Sequence, residues 1–472
     1  MNDVYEIAPI QGGEYGGLAR VETVHKELVE ENPNTMLFLA GDFLNPSLLG
    51  SIKVDGERVR GKQMIEVMNA MNFDLVAFGN HEFDVSQKEL QMRLNESNFP
   101  WISANINLKT EKGLTSFYKE INGQKQPIGK TFIKEFSDED GTTIKIGFVS
   151  VCIPSNPKDF VVYDDMYEKI SSSYESIKDH VDVVFGLTHA TLENDIRIAK
   201  LLPNIPLIMG GHEHAHSNNL VGNVQIYKAD ANAKTVYIHK ITYDKHTGET
   251  SVSSELKEIN SSIKTDKKVG SIVKKWQTIL VSKIKNVIRQ PNEVIFNAKI
   301  PLDGRDTPIR SRQTNLGQVI AKAMSFAFED QVDCALVNGG SIRIDDQLSG
   351  PITAVDIFRV LPYGGGVLKV GIKGRLLEQV LNYGVNARGQ GAYLHRFNAY
   401  KVADQWMIKN KPLILNKTYT VAISDYLLKG LDIPFLTNDN KDITFVFQPK
   451  INELAYDIRK VVINYLKKSV FK

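Results

Sequence analysis

Residues 74–84 read Asp-Leu-Val-Ala-Phe-Gly-Asn-His-Glu-Phe-Asp. Four apolar residues run directly into a glycine. Amide, imidazole and carboxylate side chains follow at once: Asn80, His81 and Asp84. A short apolar run closed by a turn residue predicts a buried strand. Polar groups just past the carboxyl end of such a strand lie where open α/β sheets bind their ligands. The arrangement recurs three times. Residues 36–40 (Met-Leu-Phe-Leu-Ala) run into Gly41-Asp42. Residues 183–187 (Val-Val-Phe-Gly-Leu) run into Thr188-His189, and residues 207–209 (Leu-Ile-Met) into Gly210-Gly211-His212-Glu213-His214. Between the first two runs, Met64, Val67, Met68 and Met71 have helical spacing. Strands alternating with helices predict a layered α/β core with four segments aiming nitrogen and oxygen donors at one edge.

Imidazole nitrogen mixed with carboxylate and amide oxygen suits Mn²⁺, Zn²⁺, iron or Co²⁺. The supply exceeds one tetrahedral site. A carboxylate can bridge two ions, so the pattern predicts a dinuclear centre about 3.5–4 Å across. Each motif alone is bland: Gly-Asp is an ordinary turn, and a single buried histidine is commonly just a satisfied core residue. The order of all four, each after an apolar run, carries the reading.

The chain has 472 residues, which suggests about three domains or two large ones. Hydrophobic residues make up 42% and charged residues 24%, a balance that excludes global disorder. Fifty-seven Lys+Arg against 55 Asp+Glu leave +2, so no basic field for nucleic acid is expected. No apolar run approaches the ~18 residues of a transmembrane helix, and no membrane partner is expected. Two distant cysteines, Cys152 and Cys334, exclude a disulfide framework. His212-Glu213-His214 has the wrong spacing for a zinc-peptidase helix, and no Gly-x-x-x-x-Gly-Lys-Ser/Thr phosphate loop is present.

From about residue 224 to 254 the pattern turns strand-like, with Val236, Ile238 and Ile241 beside His246-Thr247-Gly248. Residues 266–288 then place Val269, Ile272, Val273, Trp276, Ile279, Leu280 and Ile284 at three- and four-residue spacing, with lysines on much of the other face. This predicts one amphipathic helix, N-capped by Thr265 or Asp266 and stopped by Pro291. It reads as a linker, 261–290, between domains at 1–260 and 291–472. In the second half, Asn338-Gly339-Gly340 follows an apolar run and Tyr363 precedes three glycines, which let backbone approach a ligand closely.

The order Asn2-Asp3, Gly41-Asp42, Gly79-Asn80-His81-Glu82-Phe83-Asp84, Thr188-His189, Gly210-Gly211-His212-Glu213-His214 resembles the metallophosphoesterases of the 5′-nucleotidase family. Arg312-Gln313-Thr314-Asn315-Leu316-Gly317, Asn338-Gly339-Gly340-Ser341-Ile342-Arg343 and Leu361-Pro362-Tyr363 are similar to that family's C-terminal substrate domain. The resemblance implies an α/β fold: an N-terminal layered α/β-sandwich of calcineurin-like type, a linker helix, and a C-terminal α+β substrate-binding domain. It implies a hydrolase with two divalent ions (Mn, Zn, Co, Mg or Fe) and a small-molecule nucleotide as substrate. Nucleoside 5′-monophosphates come first; cyclic nucleotides, dinucleotides and nucleotide sugars are alternatives. A non-catalytic nucleotide binder with a degenerate metal site is the rival from another class.

By the same resemblance, Asp42 bridges the ions. Asn80, His189 and His212 hold one; Asp3 and His214 hold the other. His81 is the catalytic histidine, oriented by Asp84. Arg312, Asn338, Arg343, Tyr363, Tyr426 and Asp432 grip the nucleotide, the two tyrosines by stacking on the base.

Two departures stand out. The family reads Asn-Asp-x-His where this chain reads Asn2-Asp3-Val4-Tyr5. A phenol ionises near pH ~10 and is a poor ligand at neutral pH. The first site is therefore weaker, or uses Tyr5 as phenolate, or takes Glu6 instead, or prefers Fe³⁺. Second, a core strand should lead into Asp3, but too few residues precede it. Either the sheet lacks that strand or the true start lies upstream; the second is favoured. As given, the opening Met-Asn-Asp carries no export signal, which reads as cytoplasmic; an upstream start makes the periplasm or secretion the expectation.

Overall fold

The apolar runs fold as strands whose ends differ from the expected ones by a residue or two. The structure is a computed structural model that describes residues 1–154, 158–285 and 287–469. The chain divides into two units, Met1–Leu280 and Val281–Lys472. In the first, β1 (Phe38–Ala40), β2 (Leu75–Ala77) and β3 (Trp101–Ile102) form a parallel sheet in that order. A second sheet contains β4 (Thr131–Ser137), β5 (Thr143–Val149), β6 (Val183–His189), β7 (Leu207–Gly211), β8 (Ser217–Val221) and β9 (Val224–Lys228). Its order is β4-β5-β6-β7-β9-β8. The four inner strands are parallel and both edge strands antiparallel.

Every residue of β6 is buried, as a parallel strand covered on both faces must be. Its side chains alternate between two cores. Val183, Phe185 and Leu187 meet Ala40, Leu75 and Ala77 of the first sheet. Val184 faces the opposite core, which holds Met166, Ile170, Ile177, Ile198 and Ile208. The helices α1 (Leu18–Glu31), α2 (Lys62–Met71), α3 (Met166–Ile177) and α4 (Leu192–Leu201) complete the layers. Met64, Val67, Met68 and Met71 of α2 are all buried, so their spacing marks the helix's inner face. Burying side chains of this size stabilises by about 1.5–3 kcal/mol each. The carboxyl ends of β1, β2, β6 and β7 carry the polar residues: His189 is the last residue of β6, and Asp42, Asn80 and His212 lie in the segments that follow β1, β2 and β7.

β10 (Thr235–Asp244) and β11 (Glu249–Glu258) form a ten-pair antiparallel hairpin, turning through His246-Thr247-Gly248. The described residues contain no strand ahead of Asp3. Residues 1–3 instead run beside β1: the Ala40 N–H donates to the Met1 carbonyl (2.9 Å) and the Asp3 N–H to the Gly41 carbonyl (3.0 Å). Beside them lies a cavity of about 670 Å³, lined by Met1, Phe38 of β1, Phe185 and Met209 of the second sheet, and Ile238 and Ile241 of β10.

The amphipathic segment is α5 (Lys267–Lys285). Asp266 caps it, its Oδ1 accepting the Val269 N–H at 2.9 Å. The helix ends three residues short of the expected Ile288, and Asn286 lies outside the described residues. Trp276 is buried and donates to Glu66 at 2.8 Å.

In the second unit, β12 (Val294–Asp303) pairs antiparallel with β14 (Gln347–Thr353). Five further strands make a mixed sheet: β13 (Cys334–Asn338), β15 (Val367–Lys373), β16 (Leu394–Phe397), β17 (Thr418–Ser424) and β18 (Ile443–Phe447). Their order is β16-β13-β17-β15-β18, and only β13 and β17 run parallel. Leu376, Leu377, Val380 and Leu381, on a helix spanning Gly374–Asn386, pack on Leu336, Leu368, Val370 and Ile423 of the sheet. The layered α/β-sandwich and the α+β second domain are as the sequence implied.

Candidate metal centre

Asp42 is the hub. Gly41 and Asp42 turn the chain sharply after β1, both in the left-handed region (φ 76° and 60°). Asp42 Oδ1 accepts the His81 N–H at 2.8 Å. Asp42 Oδ2 lies 3.0 Å from His189 Nε2 and 3.3 Å from the Tyr5 hydroxyl. His189 Nδ1 lies 2.8 Å from the Ala40 carbonyl. A carbonyl can only accept, so Nδ1 carries the proton and Nε2 is left as the donor for a metal. His189 Nε2 is also 3.2 Å from Asn80 Oδ1. Ligand atoms of Asp42, His189 and His212 all lie within 4.8 Å of one another. His214 Nε2 stands 3.2 Å from Asp3 Oδ1 and 3.2 Å from the Tyr5 hydroxyl. Asp42, Asn80, His189 and His212 therefore form one donor group, and Asp3, Tyr5 and His214 lie beside it, linked to Asp42 through the Tyr5 hydroxyl.

These residues fit metal ions. Asp3 is fully buried, and its Oδ1 accepts no hydrogen bond, although it faces His214. Its Oδ2 takes two, from the Asn2 side chain (2.7 Å) and the His212 N–H (2.8 Å). A buried carboxylate oxygen with no hydrogen bond, turned toward an imidazole, is what a ligand oxygen presents. The surrounding backbone is cut to fit. A Cβ on Gly79 would sit 2.1 Å from Asp42 Oδ1, and one on Gly211 would sit 2.8 Å from His189 Nδ1.

Four candidate ligands adopt positive φ: Asp3 (53°), Asp42 (60°), His212 (92°) and His214 (61°). Each such residue costs on the order of 1–3 kcal/mol and persists only when its surroundings over-determine it. The surroundings do so through residues that the sequence reading passed over. Glu82 accepts the N–H groups of Gly79 (2.7 Å), Asp42 (2.8 Å), Phe43 (2.8 Å) and Leu44 (3.1 Å). Asn2 exchanges two hydrogen bonds with Ala229, and Asn232 Oδ1 accepts the Tyr5 and Glu6 N–H groups. Buried Lys228 ties Asp195 and Glu213 to the Gly211 carbonyl.

The charges are strongly coupled. Burial opposes ionisation of Asp3, but His214 outweighs it and holds the carboxyl well below the usual carboxylate range. Burial likewise opposes protonation of His189, yet Asp42 and Asp3 raise it to about 9. His212 is pushed down to about 4 by burial and by the neighbouring His189. Burial and then Asp42 lift Glu82 to about 7.

His81 and Asp84 sit beside the hub in a one-turn helix spanning Asn80–Asp84. Asp84 Oδ2 is 2.8 Å from His81 Nδ1 and also accepts from the Asn45 amide at 3.2 Å. The His81 ring meets Tyr5 edge-on, with centroids 6.1 Å apart.

In the second unit, three of the six expected nucleotide contacts come together. Asp432 accepts from the Asn338 amide (2.6 Å) and from the Tyr426 hydroxyl (3.0 Å). Ser341 completes the group by donating to Asn338 Oδ1 at 2.6 Å. Arg312 instead approaches Asp303 at 3.5 Å with its side chain 67% exposed. Tyr363 is 56% exposed, and half-buried Arg343 donates its backbone N–H to the Val360 carbonyl.

Comparison with known proteins agrees with this layout. Residues 1–216 match the calcineurin-like phosphoesterase family, and residues 294–437 match the 5′-nucleotidase C-terminal domain. Human 5′-nucleotidase is 27% identical over 476 residues, covering 88% of this chain and 78% of its own. The bovine 5′-nucleotidase is 26% identical, covering 90% of this chain and 80% of its own. The crystal structure of a 5′-nucleotidase precursor from Thermus thermophilus covers 99% of this chain and 95% of its own, with a TM-score of 0.68 at 21% identity. That likeness confirms the fold. Fold and donor set together define a two-domain metallophosphoesterase. Within that class, the chain belongs to the 5′-nucleotidase family.

Proposed function

We propose that the protein hydrolyses phosphate esters of nucleotides, nucleoside 5′-monophosphates foremost, at a dinuclear centre held by Asp3, Asp42, Asn80, His189, His212 and His214. The observation that carries this is the donor group of Asp42, Asn80, His189 and His212 with Asp3, Tyr5 and His214 beside it, and His81 held next to them by Asp84. Bound ions would polarise the phosphoryl oxygens and lower the pKa of a bound water at neutral pH. The chain's own groups do the rest. Asp84 holds the His81 ring through Nδ1, and the imidazole would stabilise charge as it develops on the substrate phosphate. The buried walls of the site, Tyr5 among them, keep bulk water from screening these interactions.

The second unit supplies recognition. Tyr426 offers a ring for the base, at about 1–3 kcal/mol per stacked base. Asp432, an acceptor for Asn338 and Tyr426, is the candidate acceptor for ribose hydroxyls, a reading its acceptor role supports. Arg312 and Arg343 are candidates for phosphate or ribose oxygens, and Tyr363 for the second stacking ring. Cyclic nucleotides, dinucleotides and nucleotide sugars present the same base and phosphate chemistry and belong in the same substrate panel.

The test is phosphate release from AMP by protein reconstituted with Mn²⁺, Co²⁺, Zn²⁺, Mg²⁺ or iron, with and without chelator. Release that the chelator abolishes is expected. Metal-loaded protein that binds nucleotide but turns over no member of the panel would favour the non-catalytic binder.

A further inference from the structure

Tyr5 stands where the resemblance expects a histidine, and its surroundings give that replacement a chemical meaning. Its hydroxyl is 3.3 Å from Asp42 Oδ2 and 3.2 Å from His214 Nε2, and the same His214 nitrogen is 3.2 Å from Asp3 Oδ1. Metal–ligand bonds of about 2.0–2.2 Å place neighbouring donors of a tetrahedral shell roughly 3.3–3.6 Å apart. The Tyr5 hydroxyl thus has about the spacing of a neighbouring donor to both Asp42 and His214, as His214 has to Asp3. The side chain is buried at 2% exposure. Its backbone is pinned by the Asn232 side chain, so the hydroxyl is held in place.

We propose that Tyr5 ligates the first ion through its phenolic oxygen and makes that site one for Fe³⁺. The two donor groups differ in kind. Around Tyr5 stand three oxygens and one nitrogen; around His189 stand two oxygens and two nitrogens. Oxygen donors suit harder cations. Two carboxylates and a phenolate also balance three positive charges, whereas the second group adds no anion beyond the shared Asp42 and suits a divalent ion. A bound cation displaces the proton of an oxygen or sulfur ligand and releases it to solvent, and the effect grows with the cation's charge.

The inference rests on the dinuclear reading, and the experiment separates the two. Metal-free full-length protein is loaded with Fe³⁺ and then Zn²⁺, metal content is measured, and the visible spectrum is recorded. Roughly one iron and one zinc per chain are expected, with a phenolate-to-iron charge-transfer band in the visible that carries tyrosine ring modes in resonance Raman. Tyr5→Phe removes the band and weakens Fe³⁺ binding by about tenfold or more. Tyr5→His also lacks the band but holds two divalent ions. Far-ultraviolet circular dichroism confirms that both variants fold. Stoichiometric iron without a band, or a band that survives Tyr5→Phe, overturns the role of Tyr5. Zinc bound at two per chain with iron excluded overturns the ferric assignment. Failure of any ion to bind overturns the dinuclear reading itself.

Discussion

Removing the Glu82 carboxylate should unravel the loop that carries Asp42. Glu82 accepts four backbone N–H groups, from Gly79, Asp42, Phe43 and Leu44, and is itself fully buried. In Glu82→Gln one side-chain oxygen remains an acceptor and the other becomes an amide that can only donate. Two N–H groups then lose a charged acceptor, each worth about 1.5–3 kcal/mol, which gives a loss of roughly 3–6 kcal/mol. Part of this is returned, because burial and Asp42 already disfavour the Glu82 charge and raise it to about 7. A net cost of ~2–4 kcal/mol lowers the melting temperature of a unit this size by about 4–16 °C. Metal affinity falls by about tenfold or more, as expected when a group that positions a ligand is lost. Calorimetry and metal titration of the variant read both effects. A melting temperature and metal affinity within error of the wild type would refute the claim that Glu82 holds the loop.

Three further outcomes follow. His81→Ala should lower kcat by ~10²–10⁴ with metal content intact if His81, bonded to Asp84, has the proposed catalytic role beside the candidate ligands; a variant that loses metal would make His81 a ligand instead. Tyr426→Ala should raise KM for AMP about tenfold while p-nitrophenyl phosphate, which has no base, is hydrolysed as before; equal effects on both substrates would place the base elsewhere. Metal affinity should rise with pH up to about 9, close to tenfold per unit from this proton alone. The reason is that the metal-free pocket keeps His189 protonated and ligation needs it neutral. The same raised value stabilises the metal-free fold below pH ~6.5 and ceases to as pH climbs through about 9. Isothermal titration at several pH values checks the slope, and a flat profile would contradict it.

The strands were legible because each is an apolar run cut off by Gly or Thr. The side chains at their carboxyl ends share one edge by topology alone. That is how Asp42, Asn80, His189 and His212 stand out of a sequence in which they are up to 170 positions apart. Glu82 was hidden inside the same motif. Its role depends on N–H groups of residues 42–44, some forty positions away, which no local pattern reveals. Asn232 was hidden for the same reason, since it acts on backbone 226 to 227 residues distant. The Asp432 group closes across 94 residues to Asn338, and only the folded sheet joins the two. Tyr5 was visible as a departure, but its approach to both Asp42 and His214 needed coordinates.

The central claim, hydrolysis at a two-ion centre, is tested most directly by titrating metal into metal-free protein while phosphate release from AMP is followed in the same samples. Activity should stay near zero through the first equivalent per chain and rise with the second, reaching a plateau at two. Full activity at one equivalent, or activity indifferent to metal, would contradict it.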